Sequence, residues 1–157
     1  MTATTTAPHS PRLNYYKASP QGLKAMLDLE AYVKNCGLEH ALIELVKMRA
    51  SQLNGCAFCL DMHSKDARAA GETEQRLHVL PAWRETDLYT PRERAALEWT
   101  EALTLIADSH APDAAYDAAR AVFNDKELAD LSLLIGTINV WNRLAIGFRT
   151  PLPRAKA

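Results

Sequence analysis

Between His40 and Leu53 the chain is apolar on nearly every face, through Ala41, Leu42, Ile43, Leu45, Val46, Met48, Ala50 and Leu53. A helix apolar all round is a buried helix, so the remaining helices must wrap it. Glu44 lies inside the run, flanked by Leu-Ile and Leu-Val. A carboxylate there costs free energy unless it finds a partner or stays protonated. Asn54-Gly55 is a turn signal that ends the helix. A second helix is expected from about Cys56 to about Ala70, with Gly71 as its stop. The stretch therefore predicts a central helical hairpin whose second arm opens on a C-x-x-C pair, Cys56 and Cys59.

Thiols in the first turn of a helix meet unpartnered N–H groups and the positive end of the dipole, which favours a thiolate. In C-x-x-C settings the thiol pKa falls from about 8.5 towards ~3.5–7.5. His63 follows Cys59 at i+4, on the same helix face, and helical side chains lean back towards the N-terminus, so contact with Cys59 is expected. In an antiparallel hairpin Glu44 and His63 fall at nearly the same height, mismatched by roughly 3 Å at 1.5 Å rise per residue. Glu44 is therefore expected to orient His63 or take a proton from it.

With 157 residues the chain is long enough for one domain with a real core. Its net charge of −1 offers no basic footprint for nucleic acid and no polybasic patch for a membrane surface. Three cysteines do not make a secreted disulfide framework. A reducing, cytoplasmic setting is expected, where a C-x-x-C is catalytic or metal-binding more often than structural. The N-terminus lacks a charged n-region and an apolar h-region. The most apolar late stretch, Leu131–Phe148, is interrupted by Asn139, Asn142 and Arg143 and reads as a core helix, not a membrane span.

In chain order, residues 1–12 are rich in Thr, Ala and Pro and read as a flexible terminus. Pro20 opens a helix to about Cys36, with Gly37 beyond its end. The hairpin follows, then a short helix from Glu72 to Val79 broken by Pro81, and a linker from Ala82 to Tyr89 that tucks Trp83 and Leu88 onto the core. Thr90-Pro91-Arg92-Glu93 is a capping box that starts a helix to about Ser109, with Ile106 inward. Pro112 opens a helix to Phe123, and Asn124-Asp125 caps the last one, Lys126 to Gly147. No strand alternation stands out. The class is all-α, about six helices over residues 13–148, with a short tail at 149–157.

The pattern E-x11-C-x-x-C-x3-H, here Glu44, Cys56, Cys59 and His63, resembles the active site of AhpD-like alkylhydroperoxidases within the carboxymuconolactone decarboxylase-like superfamily. TPRERAALEWTEALT (Thr90–Thr104) and INVWNRLAI (Ile138–Ile146) resemble later helices of that family, so the likeness spans about residues 14–148. The resemblance implies an all-helical domain that assembles as trimers or hexamers and acts as a thiol peroxidase. It implies Cys59 as the peroxidatic cysteine, Cys56 as the resolving one, and a proton relay of His63 and Glu44. The residues alone lean the other way, because the cysteine nearest the helix start is usually the more exposed nucleophile. The two readings meet if Cys59 faces peroxide in a pocket while a more exposed Cys56 faces the reductant. The best-known members carry C-x-H-C; Phe58 stands at that position here, removing one relay member, which implies either slower peroxidase activity or a more apolar pocket tuned to bulkier hydroperoxides.

The partners implied are a hydroperoxide and an external lipoyl- or thioredoxin-type dithiol, with no haem, flavin or metal required. Three other readings compete. Zinc could be held by Cys56, Cys59, His63 and Glu44, although structural zinc sites favour a second C-x-x-C or His pair. Decarboxylation of a muconolactone-like acid is suggested by the superfamily name, but generally runs without a redox cysteine pair. A non-catalytic redox sensor would use the disulfide as a switch. Glu44 could also be tied to an arginine such as Arg49 or Arg143, and Cys36 is expected to pack as a small apolar residue. Trp99, Trp141 and Phe148 read as core or subunit contacts; His9, His40, His78 and His110 read as solvated.

Overall fold

Proline, capping and glycine signals set the helix limits in the computed structural model, which describes residues 9–154. A short helix α1 (Tyr15–Ala18) leads into α2 (Pro20–Lys34), with Pro20 in its first turn. The hairpin is α3 (His40–Asn54) and α4 (Ala57–Ala69). Then come α5 (Glu74–Val79) and a 3-10 segment (Leu80–Glu85), and α6 (Pro91–Thr104), α7 (Ile106–Ser109), α8 (Asp113–Arg120) and α9 (Asp125–Phe148). The fold is all-α, and six of these helices have eight residues or more. The Thr90 and Asn124 capping boxes form with both halves present, each worth on the order of 1 kcal/mol.

The helix α3 is apolar all round because each of its faces meets a different cluster. Leu42, Ile43 and Val46 pack with Val33, Ala96, Phe123, Leu131, Leu134 and Ile135 from α2, α6, α9 and the α8–α9 link. Leu45 and Met48 pack with Leu77, Leu80, Trp83 and Leu97. Ala50, one turn from the end, packs with Cys56, Cys59, Ile138 and Ala145. Each large apolar side chain buried this way contributes roughly 1.5–3 kcal/mol. Among the described residues α9 alone is long and apolar enough to cross a bilayer. It instead packs on α2, α3 and α6 as a core helix, burying Leu131, Leu134, Ile135 and Ile138 together with Asp130, Thr137 and Asn142.

Several expected limits shift. The capping-box helix ends at Thr104, not Ser109: the chain bends at Leu105, and Ser109 Oγ donates to the Ala102 carbonyl at 2.5 Å. Ile106 then faces solvent, 47% exposed. The expected linker from Ala82 begins inside the 3-10 segment, where Trp83 is buried. Of the expected loose start, residues 1–8 lie outside the described residues. Arg12 is pinned to the end of α9, its backbone N–H on the Phe148 carbonyl at 3.0 Å and Nη1 on the Gly147 carbonyl at 3.1 Å. In the tail, 155–157 lie outside the described residues, while the Thr150 N–H donates to the Ala145 carbonyl at 2.9 Å.

Candidate active site

Gly55 turns the chain between the arms of the hairpin with φ +68°, a left-handed conformation that glycine adopts without a Cβ penalty. The Cys56 N–H returns to the Ser51 carbonyl at 3.0 Å. The helix α4 then begins at Ala57, one residue later than expected, so Cys56 is its N-cap. The backbone N–H of Cys59 donates to Cys56 Sγ at 3.4 Å. A sulfur in that place takes the part an oxygen plays in ordinary caps, and the helix dipole favours negative charge on it.

Both sulfurs are free thiols. Cys56 is 0% exposed and Cys59 2%, which corrects the expectation that Cys56 is the more open of the two. The reason is α9: Ile138 and Ala145 close over the pair, with Phe58 and Trp141 at the margin. The Cys56 pKa is lowered to about 7. The hydrogen bond from the Cys59 thiol favours the anion most; burial opposes it; the Cys59 N–H, the Asn142 amide and the Phe58 N–H assist. Cys59 is pushed up, because its thiol donates to Cys56, is buried, and lies beside the Cys56 charge. The first thiolate of the pair thus rests on Cys56.

The expected alignment across the hairpin is present: His63 Nδ1 lies 3.0 Å from Glu44 Oε2, and both side chains are buried. Burial works to raise the Glu44 pKa. The hydrogen bond with His63, with the charges of His63, Lys47 and His40, outweighs it and holds the carboxyl below its ordinary value. His40 Nε2 approaches Glu44 Oε1 at 4.0 Å, so this histidine has a partner after all. One turn along α3, the buried Lys47 pairs with Glu30 of α2, which also accepts from Trp141 Nε1 at 3.1 Å.

Two expected contacts do not form. Arg49 pairs with Glu101, and Arg143 Nη1 with Asn139, so neither arginine serves Glu44. Among the described residues His63 makes no hydrogen bond to either cysteine; its Nδ1 turns to Glu44 while the thiols turn to each other and to α9. The zinc reading loses its ligand set for the same reason. Among the described residues, the potential ligands that converge are Glu44, His63 and Asp66, with neither cysteine.

Asn142, from α9, is the site residue that the sequence reading left without chemistry. It is 0% exposed, and its side-chain amide favours the anionic form of both thiols. Its Nδ2 donates to Ser51 Oγ at 3.0 Å, and its Oδ1 accepts from Asn54 Nδ2 at 2.9 Å. The available signal was Asn139 and Asn142, one helical turn apart in an otherwise apolar run.

A cavity of about 580 Å³ lies elsewhere, among Trp83, Arg84, Arg94, Glu98 and Val122. Its arginines are already engaged, Arg94 with the Trp83 and Thr86 carbonyls and Arg84 with Glu101. A far smaller cavity, about 10 Å³, adjoins Glu44 among Leu45, Ala67 and Ala70, roughly the space one water needs.

The family profile for carboxymuconolactone decarboxylases matches residues 20–102. The uncharacterized protein YdfG of Bacillus subtilis is 48% identical over 137 residues, 87% of this chain and 93% of YdfG. The crystal structure of ATU0492 from Agrobacterium tumefaciens, a protein of unknown function named as a candidate antioxidant defence protein AhpD, superposes with a TM-score of 0.90 at 49% identity, covering 93% of this chain and 100% of that one. An uncharacterized peroxidase-related protein from Silicibacter sp. TM1040 shares the fold with a TM-score of 0.76 at 23% identity, over 90% of this chain and 74% of its own.

Proposed function

The chain belongs to the carboxymuconolactone decarboxylase family, on its AhpD-like side, and from that premise we propose that it is a thiol peroxidase reducing organic hydroperoxides through a Cys56–Cys59 dithiol–disulfide cycle. The observation that carries the reading is the Cys56 sulfur, which caps α4 and whose pKa is lowered to about 7, in contact with a second thiol and close along α4 to the buried Glu44–His63 pair.

The Cys59 thiol passes its proton to the Cys56 thiolate with which it shares a hydrogen bond. Cys59 S⁻ attacks the terminal oxygen of the hydroperoxide, the O–O bond breaks, and Cys59 becomes a sulfenic acid. The departing alkoxide takes a proton from the Glu44–His63 pair and leaves as the alcohol. Cys56 then attacks the Cys59 sulfur; the S–S bond forms, the S–O bond breaks, and the hydroxyl leaves as water. Two thiols are oxidised and one peroxide is reduced by two electrons. An external dithiol, lipoyl- or thioredoxin-type, restores the pair by exchange. Phe58, Trp141 and Ile138 around the sulfurs suit a hydroperoxide with an apolar body. The free thiols fit a reducing compartment such as the cytoplasm, and exposed Leu133 and Val140 on α9 fit assembly into a homo-oligomer.

Stopped-flow mixing of the reduced protein with cumene hydroperoxide, read by free-thiol titration, tests the cycle. Cys59→Ser is expected to abolish turnover, and Cys56→Ser, which loses the thiolate that takes the Cys59 proton, to form a dimedone-reactive sulfenic acid on Cys59 slowly and to stop there. Unchanged turnover in Cys59→Ser overturns the proposal.

A further inference from the structure

Both sulfurs of the thiol pair are closed to solvent, so no reagent reaches them until a covering side chain moves. Ala50, Ile138 and Ala145 cover them from the core, where the packing of α3 against α9 fixes them. The rest of the cover is Phe58 and Trp141, both only partly buried. Phe58 has no polar atom to tie it in place. Trp141 is tied: its Nε1–H donates to Glu30 Oε2 at 3.1 Å. The anchor is fixed in turn, because Glu30 Oε1 pairs with Lys47 Nζ, and the Lys47 side chain is only 3% exposed. A buried ammonium left without its carboxylate is costly, so Glu30 stays on α3. The indole bond therefore goes to a held, charged acceptor, roughly twice as strong as a neutral one. Lys47, a buried cation that the proposed cycle does not use, thus fixes the outer wall of the thiol site through a single carboxylate.

We propose that Trp141 controls entry to the thiol pair: a reactant reaches the sulfurs when the indole leaves Glu30, and the reactant's body takes the place that the ring gives up. The proposal rests on the dithiol reading of the site and deepens it. The vacated place is walled by the apolar cluster around the sulfurs, so an apolar body recovers there the burial that the indole loses. The closed arrangement keeps the thiols from water and from adventitious oxidants, and the strength of one hydrogen bond sets how often it opens.

The test is the rate of iodoacetamide alkylation of the reduced protein across pH, read by mass spectrometry on the peptide that carries Cys56 and Cys59, so that Cys36 does not contribute. That rate is the product of the open fraction and the thiolate fraction. A change in entry scales it at every pH; a change in the thiols themselves moves its midpoint. Trp141→Phe keeps an aromatic ring and removes the N–H. It is expected to be alkylated about tenfold faster at every pH with the midpoint unmoved, the effect of losing one hydrogen bond to a charged group. Glu30→Leu with Lys47→Met removes the acceptor without stranding a buried charge, is expected to give the same rise, and carries the test if Trp141→Phe does not fold. Trp99→Phe makes the same chemical change away from the sulfurs, where the indole donates to Ser132 Oγ at 2.9 Å, and is expected to leave the rate as it is. An unchanged rate in a folded Trp141→Phe protein, a shifted midpoint, or an equal rise in Trp99→Phe overturns the inference. Oxidation by cumene hydroperoxide is expected to rise by the same factor in Trp141→Phe. Faster alkylation in a protein that cumene hydroperoxide does not oxidise keeps the inference and removes the peroxidase reading.

Discussion

Two glutamates on neighbouring helices, the buried Glu44 of α3 and the partly buried Glu101 of α6, were given opposite surroundings. Glu101 is saturated: Oε1 accepts from Arg49 Nε at 2.9 Å and Trp83 Nε1 at 2.8 Å, and Oε2 from Arg84 Nη1. Burial would raise its pKa, but Trp83, Arg84 and Arg49 hold it low. Two of its three partners are guanidiniums, which do not release protons in proteins. Among the described residues Glu44 has one hydrogen-bonded partner, the His63 imidazole, a ring with two nitrogens that can each donate or accept, and a water-sized cavity beside it. The first arrangement holds the 3-10 segment and α6 to α3. The second leaves a proton free to move. A lowered carboxyl pKa is common to both, so it is the kind of partner that separates a brace from a relay.

That contrast can be broken by exchanging roles. Glu101→Ala leaves Arg49, Arg84 and the Trp83 N–H without their acceptor; the pairs are partly exposed, so the cost falls below that of a fully buried pair. Thermal and urea unfolding should show a loss of about 1.5–3 kcal/mol, as for hydrogen bonds to a charged group, with thiol oxidation by cumene hydroperoxide little changed below the melting temperature. Glu44→Gln keeps an acceptor for His63 and removes the charge. Its stability should stay within about 1 kcal/mol of wild type, while the oxidation rate falls about 10- to 100-fold, toward the lower end of what acid–base groups contribute. A Glu44→Gln protein that is badly destabilised yet fully active would make both glutamates braces. The smallest effect is in acid. Both carboxyls are depressed below the ordinary 4.5, so their stabilisation is complete above that value and is lost as pH falls through the folded-state values. The slope is at most about 1.4 kcal/mol per pH unit for each group. Melting temperatures between pH 6 and 3 should fall less steeply in Glu44→Gln than in wild type.

The hairpin was legible because its signals are local: a run apolar all round, an Asn-Gly turn, and residues whose helical spacing brought Glu44 and His63 level. The capping boxes at Thr90 and Asn124 and the stop at Gly55 are likewise written in a few consecutive residues. What could not be read is tertiary. Nothing near Leu105 marks the bend that ends α6; a serine hydroxyl reaching back to Ala102 makes it. His63 was expected on Cys59, because helix spacing puts them together, but the chain cannot say locally that Ile138 and Ala145 of α9 will close on the thiols while the ring turns to Glu44. The same crossing buries Cys56, whose place at the helix start had suggested exposure. Arg49 was a plausible partner for Glu44 until α6 brought Glu101 to it.

That Cys56 caps α4 ties chemistry at one atom to the anchoring of thirteen residues of backbone. Any covalent bond made to its sulfur removes the anion that the first turn leans on, and the Cys59 amide loses its strongest acceptor. Oxidised and reduced molecules should therefore differ in amide hydrogen exchange at Phe58, Cys59 and Leu60, and a reductant would meet a helix start more easily prised open than the one that met the oxidant.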